Sequence, residues 1–471
     1  MNRLVPRSVN RRSFLKAGTA GAAAISFWVA LRAHAASGAR RLLVGVGKRR
    51  VTPPLTVPYL TSSGNGTNAA FKSVHDQLFA RALVLDDGVE KAAVLVVDSI
   101  GYDNAILGKG REFTAVVRRE TSKRTGLKPH QIMLAASHTH SAPETIGLSA
   151  FRDVPGVAEW LENHSGELAQ TVTEAWKDRA PARAYAGVTR ADGIARYRRI
   201  VLKNGKLSVH GPLPPPDQVA LPWQLDEDLN VVCFEREHGG SCAGLMNYTA
   251  HPVVAMLLPH VSADYPGAAS ALVEEEIPGA VCLFTNGAAG NINSSKVSTN
   301  FEDVAALGQK LGQAALAKIS ELRRGEALKE TEVRTCSGQL VLEPRPCPPL
   351  AQVEKVASRS AIGKDGAVTR LALKLSEGPL RAEIQAMRLG PVRWISLPGE
   401  PFVETGLALK AAGASFVVGY ANGYLGYFPI RRAYDEGGYE VVQGAWSRVA
   451  PGSAERLESA GKELLEQISR A

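Results

Sequence analysis

The sequence predicts an α/β fold, mixed β-sheets flanked by helices, built as one large domain. Three observations predict it. Short apolar runs rich in Val, Ile and Leu alternate with stretches of helical period along the chain, the pattern of interleaved strands and helices. No internal repeat or low-complexity tract divides the 471 residues. The composition, 45% hydrophobic and 21% charged, supplies a large core and a polar exterior.

In chain order, Leu42–Gly47 reads as a strand running into a turn at Val51-Thr52-Pro53-Pro54. The two prolines, with no helical pattern after them, argue against a phosphate-binding loop. Leu78–Leu85 and Ala92–Val97, separated by Asp86-Asp87-Gly88, predict a hairpin. Helical period over Gly110–Thr125 precedes an apolar strand within Lys128–Ala136, and Val157–Asp178 is helical again. Gly187–Leu229, which contains Pro212-Leu213-Pro214-Pro215-Pro216, is expected to be an irregular surface loop over a site. Strands are expected at Leu229–Glu235, Gly244–Tyr248 and Ala280–Thr285, and helices at Gly267–Glu276 and Asp303–Arg324. Glu343–Gly366 opens with Pro344, Pro346, Pro348 and Pro349 and is expected to leave the body of the fold. Strands then return at Val368–Leu375, Leu380–Leu389 and Val392–Leu397.

Residues 1–35 stand apart as a leader, with 36–471 as the domain. Asn10-Arg11-Arg12-Ser13-Phe14-Leu15-Lys16 is a twin-arginine signature, Ala17–Leu31 an apolar run, and Ala33-His34-Ala35 a small-x-small cleavage pattern. That run is short for a membrane span. The expected route is export through the twin-arginine translocase to the periplasm or the medium, in a folded state that permits metal loading in the cytoplasm. No second apolar run is long enough to cross a bilayer, so the mature chain is expected to carry no transmembrane segment. The leader holds six basic residues and no acidic one; without it the formal charge of +9 falls to +3. A near-neutral body gives no electrostatic case for binding nucleic acid. The five cysteines show no metal-ligand spacing. An oxidising compartment permits Cys233–Cys242 or Cys336–Cys347 bridges, with buried thiols as the alternative.

The chemistry gathers in four segments that share one layout, an apolar strand running into polar or Gly-rich residues. Ile132–Ala136 leads to Ser137-His138-Thr139-His140-Ser141-Ala142-Pro143. In extended geometry positions i and i+2 share a face, so His138 and His140 can converge on a metal; two exposed loop histidines are the plainer alternative. Met246-Asn247-Tyr248-Thr249-Ala250 delivers His251, and Trp394-Ile395-Ser396-Leu397-Pro398-Gly399 delivers Glu400. Alone, each also reads as a structural residue. Phe416–Gly419 leads to Tyr420, Tyr424 and Tyr427, tyrosines that serve equally well in a core.

Taken in order, Gly45-Val46-Gly47, Val51-Thr52-Pro53-Pro54, His138-Thr139-His140-Ser141-Ala142-Pro143, His251, Pro398-Gly399-Glu400, Gly419-Tyr420-Ala421-Asn422, Tyr427 and Tyr439-Glu440 resemble the neutral/alkaline ceramidase superfamily over roughly residues 42–445. The resemblance implies hydrolysis of an N-acyl amide bond by a single Zn2+ held by His138, His251, Glu400 and Tyr427. It also implies substrate-contacting roles for His140 and Tyr439, and for an arginine within Ile194–Arg199. Arg198 is the choice there, with Arg196 and Arg199 competing. An open zinc position marks a catalytic rather than a structural metal. Asp98 and Asp264 are candidates to orient ligating histidines from behind; capping a neighbouring turn is the alternative for both. The sequence departs from the family where Gly290-Asn291-Ile292-Asn293-Ser294-Ser295 replaces Gly-Asp-Val-Ser-Pro-Asn, which leaves the ceramide substrate open. No room is expected for the C-terminal β-sandwich domain of full-length ceramidases. An ester or acyl-glycan substrate, and a non-catalytic exported binding protein, are the other readings.

Overall fold

Strands with apolar residues on both faces need cover on both faces, and the fold supplies it. The computed structural model describes residues 26–28, 41–59, 69–148, 151–208, 213–239, 242–346, 374 and 378–470. The larger sheet contains β1 (Leu43–Arg50), β2 (Phe79–Asp86), β3 (Lys91–Val97), β4 (Ile132–Ala136), β5 (Ala180–Arg190), β6 (Asp228–Arg236), β7 (Cys242–Tyr248) and β8 (Val281–Asn286). Their order is β8-β7-β6-β5-β1-β2-β3-β4. The outer pairs β7–β8 and β3–β4 are parallel and the inner ones antiparallel, so the sheet is mixed. The smaller sheet runs β9 (Val333–Leu342), β10 (Leu380–Leu389), β11 (Val392–Ser396) and β12 (Phe416–Val418), with Ser26–Trp28 added antiparallel on the β9 edge.

Alternation along the strands sets four layers. Ala93, Leu95 and Val97 of β3 pack beneath α1 (Phe113–Thr125) and α2 (Val157–Lys177). Val94 and Val96, pointing the other way, meet Val333, Met387, Trp394 and Phe416 of the smaller sheet. At the other end of the large sheet, α3 (Asp264–Glu276) and α4 (Phe301–Arg324) cover the same face as α1 and α2. The outer face of the smaller sheet is closed by α5 (Val403–Ala411) and α6 (Ser453–Arg470) through Leu409, Leu457, Leu464 and Ile468. The order is helices, sheet, sheet, helices.

The hairpin forms as expected, in register from Ala80↔Val97 to Asp86↔Lys91. The region 187–229 does not form one loop. β5 continues to Arg190, Ala195–Tyr197 pairs with Ile292–Ser294, and Ile200–Val201 pairs with Leu207–Ser208. Its small and polar residues hide the strand state, which pairing with β6 imposes. Helices α5 and α6 are additions that the periodicity reading did not include. The segment 347–373, most of the strand expected at 368–375 and nearly all of the leader lie outside the described residues. Cys233 and Cys336 are buried thiols, and Cys347 lies outside the described residues. In the β6–β7 register Cys233 opposes Gly244 and Cys242 opposes Glu235, a diagonal separation too long for a bridge. Among the described residues, no helix is long and apolar enough to cross a membrane.

Candidate metal centre

The site lies where strands of both sheets end together. β4 stops at Ala136, and His138 follows in the left-handed region at φ 72. His138 and His140 therefore converge through a turn, not through the pleat of an extended strand. The turn is held by the His138 amide donating to Ser99 O at 2.8 Å and the Thr139 hydroxyl donating to Ser262 O at 2.8 Å. β7 ends before His251, whose amide donates to Ile292 O at 3.0 Å. Glu400 comes from a two-residue parallel pairing in which it lies opposite Tyr427.

The side chains meet at one point. The ligand atoms of His138, His140 and His251 all lie within 4.8 Å of one another. His138 Nε2 and His140 Nε2 are 3.3 Å apart. Glu400 Oε2 lies 3.0 Å from His251 Nε2 and 3.5 Å from His138 Nε2. The far nitrogens are already engaged: His138 Nδ1 donates to Ile100 O at 2.6 Å, and His251 Nδ1 to Ala289 O at 2.6 Å. With protons on Nδ1, the Nε2 lone pairs face a carboxylate oxygen, acceptor against acceptor. Only a proton or a cation between them resolves that arrangement, so the donor set suits a metal. Burial pushes His251 down to about 4, with Arg198 reinforcing it. Loss of water likewise holds His140 well below its ordinary value, aided by the neighbouring histidines. Burial alone would raise the Glu400 carboxyl; His138 and His251 override it and hold it well below the usual range. A low His251 and a low Glu400 both favour free lone pairs at neutral pH, which metal ligands need.

Arg198 and the tyrosines form the opposite wall. Arg198 Nη2 donates to Tyr427 Oη at 3.2 Å and to Gly290 O at 2.5 Å, Nη1 to Asn293 Oδ1 at 2.8 Å, and Nε to Glu440 Oε1 at 3.1 Å. Tyr427 and Tyr439 share a hydrogen bond between hydroxyls at 3.1 Å. Among the competing arginines, Arg199 is anchored away from the cavity, with Nη1 on Glu440 Oε2 at 2.6 Å and Nη2 on Gly437 O at 2.8 Å. Arg196 does not line the cavity, and Arg198 does.

Three participants were named in the sequence reading but given no role at the site. The Tyr424 hydroxyl donates to Glu400 Oε1 at 2.5 Å and fixes that carboxylate's rotation. Glu440, fully buried, bridges both guanidiniums. Asn293, in the segment that departs from the family pattern, accepts from Arg198 and lines the cavity. The sequence signals available were the density of tyrosines after β12 and the altered segment itself. Its other asparagine, Asn291, accepts from Val403 N at 2.8 Å and donates to Glu404 Oε2 at 2.8 Å. An Asp there would set two carboxylates against each other.

Asp98 and Asp264 do not orient the histidines. Asp98 Oδ2 accepts from Phe79 N and Arg81 Nη1, both at 2.9 Å. Asp264 accepts from Ala255 N at 2.9 Å and Tyr265 N at 2.7 Å, shaping the turn into α3. Backbone carbonyls take the role expected of these carboxylates, because the histidine turns bring main chain, not side chain, behind the rings.

Above His138, His251 and Glu400 opens a cavity of about 430 Å³, whose upper wall is apolar through Ile146, Leu148, Val253, Met256, Val297 and Trp446. No protein-family model matches the chain, and no curated protein matches it. Solved structures do. A neutral ceramidase from Pseudomonas aeruginosa superposes with a TM-score of 0.66 at 19% identity, over 90% of this chain and 74% of that one. A ceramidase complexed with C2 superposes with a TM-score of 0.66 at 18% identity, over 91% and 76% respectively.

Proposed function

With the neutral ceramidase-like fold as premise, we propose that this chain is an exported zinc-dependent hydrolase that cleaves the amide bond of an N-acylated, lipid-like substrate. One observation carries the reading: the Nε2 atoms of His138 and His251 and the Glu400 carboxylate converge beneath a cavity that is apolar above and polar at its base. These three residues and Tyr427 would hold the zinc. When bound, the metal would polarise the scissile carbonyl and lower the pKa of a water at the site.

The chain's own groups do the rest. Arg198, locked by four hydrogen bonds, sets a fixed positive charge in the cavity wall beside Tyr439, which would stabilise negative charge growing on the carbonyl oxygen. His140 is neutral at pH 7 and can accept a proton from the attacking water and deliver it to the leaving nitrogen. The acyl chain occupies the Ile146, Leu148, Met256 and Trp446 side, where its burial supplies binding energy.

The test pairs metal analysis of the purified protein with a panel of N-acyl amines and their ester counterparts, with and without a chelator. Zinc at about one per chain and chelator-sensitive amide cleavage are expected. Cleavage of esters alone would move the reading to a deacylase; turnover unaffected by full metal removal would sink the metal-dependent reading.

A further inference from the structure

The floor of the metal cavity carries a hydrogen-bond donor that the protein itself does not use. Asn293 sits in Ile292–Ser294, where the ladder to Ala195–Tyr197 sets it opposite Arg196 and an isolated bridge ties it to His251. Alternation along that strand turns Ile292 into the core and Asn293 toward the cavity. The residue is 4% exposed, so its surroundings decide which way the amide faces. Arg198 Nη1 donates to Oδ1 at 2.8 Å. A guanidinium can only donate, so the carbonyl end must face it and the NH2 end must face away. Nδ2 makes no hydrogen bond among the described residues. Nor is it sealed in. The enclosed side-chain atoms without partners include Tyr420 Oη and Asn286 Oδ1 but not Asn293 Nδ2, which opens on the cavity. A buried amide held at one end and unused at the other is completed by a ligand.

Arg198 adds to the same corner. Of the five N–H groups of a guanidinium, four bond to Glu440, Asn293, Gly290 and Tyr427, which leaves one on Nη1. The corner thus offers donors, with the Asn293 carbonyl oxygen turned to the guanidinium. A serine, which stands at this position in the family pattern, carries a hydroxyl that both donates and accepts, and suits a substrate hydroxyl. A carboxylate or carbonyl oxygen, which only accepts, suits the corner built here. Nη2 of the same guanidinium reaches the Tyr427 hydroxyl at 3.2 Å, so Asn293 stands one guanidinium away from a proposed metal ligand. An acceptor held there lies within a few bonds of the scissile amide. With the acyl chain on the Ile146, Leu148 and Trp446 side, it falls in the amine half. Resting on the amidase reading of the metal centre, we infer that Asn293 is a specificity residue: its Nδ2 donates to a carboxylate or carbonyl oxygen on the amine half, the chemistry of an N-acyl amino acid.

Octanoylglycine and N-propyloctanamide, nearly matched in length, differ in that acceptor. Both are offered to the zinc-loaded full chain and to Asn293→Asp, which keeps the shape and the bond to Arg198 but replaces the donor with an anionic oxygen. In the wild type kcat/KM for octanoylglycine should exceed that for N-propyloctanamide about tenfold or more. In Asn293→Asp the ratio should fall to one or below, because two carboxylates then face each other. The ratio cancels any loss common to both substrates, such as a shift of Arg198. Asn293→Ser, which withdraws the donor from the cavity, serves if Asn293→Asp does not fold, and should lower the ratio severalfold. A wild-type ratio of one or less, or a preference that the variants keep, overturns the assignment; equal cleavage of both amides does so while leaving the amidase reading intact. If neither amide is cleaved, calorimetric titration with the same pair decides. Binding of octanoylglycine that is tighter than that of N-propyloctanamide in the wild type alone upholds Asn293 although the amidase reading fails. Equal binding of the two, or none, overturns Asn293 as well.

Discussion

Around His140 two readings meet at the scale of one residue. Its Nε2 lies 3.3 Å from that of His138, close enough to be a ligand. Yet the proposed set of His138, His251, Glu400 and Tyr427 would already make four donors, and a fifth would crowd the position a substrate needs. His140→Ala is therefore expected to retain zinc and fold while turnover falls on the order of 10²–10³. His138→Ala and His251→Ala should each lose the metal. Elemental analysis beside turnover decides: zinc loss in His140→Ala makes it a ligand, and full activity makes it a bystander. Asp264 offers a pH readout. Burial pushes its carboxyl from an ordinary 3.8 up to about 6. For a carboxyl raised on folding, the contribution to stability is complete below the unfolded value and fades as pH rises through the folded one. Asp264→Asn removes that titration. The difference in unfolding free energy should shift toward the variant by up to about 3 kcal/mol between about pH 4 and pH 7. Urea melts across that range measure it, and a constant difference would contradict it.

Between elements, the site depends on close backbone approach. A Cβ on Gly290 would lie 2.5 Å from Glu400 O and 2.8 Å from Pro401 O. Those residues form the short strand that sets Glu400 beside Tyr427, and Gly290 O also holds Arg198. Gly290→Ala must push that strand away. Metal affinity, measured by competition with a chelating dye, should fall about 10–100-fold, with the helices and sheets intact by circular dichroism. Unchanged affinity would mean that the strand's position does not set the carboxylate. The Asn291–Ser294 segment acts similarly: its Ile292–Ser294 part pairs with Ala195–Tyr197, Asn293 bridges His251, and the two asparagines support Arg198 and the start of α5. A stretch that looks like a loss of family residues is the floor of the site.

Across the whole molecule, the proposed ligands come from four separated places, at 138, 251, 400 and 427, on loops that tie the two sheets together. The loop after β12 lies across the β4 end, with Asn422 N donating to Leu134 O at 2.7 Å. A metal held there cross-links both layers and binds the native state alone. Its removal by dipicolinate should lower Tm on the order of 5 °C, and zinc should restore it; an unmoved Tm would show that nothing structural is held. Export is a property of the entire precursor. Arg11→Lys/Arg12→Lys should leave the protein in the cytoplasm, and unchanged export in a fractionation assay would refute the leader reading.

Most of the layered fold was legible in the sequence, because strand and helix periodicities are local consequences of burying one face or both. The β2–β3 hairpin, α2 and α4 lie close to where their patterns place them. His138, His140, His251 and Glu400 were legible as strand-end residues, and order along the chain linked them to a family. What the sequence could not contain is direction. The left-handed turn at His138, the main-chain carbonyls behind the imidazoles, and the choice of Arg198 over its neighbours follow from long-range pairing. The diversion of Asp98 to Arg81 and of Asp264 to its own turn is settled nearer along the chain, within a hairpin and a turn. Strand identity is written in nearest neighbours, but hydrogen-bond partners 38 residues apart behind the imidazoles, and 242 apart at Arg198 and Glu440, exist only once the sheets have packed.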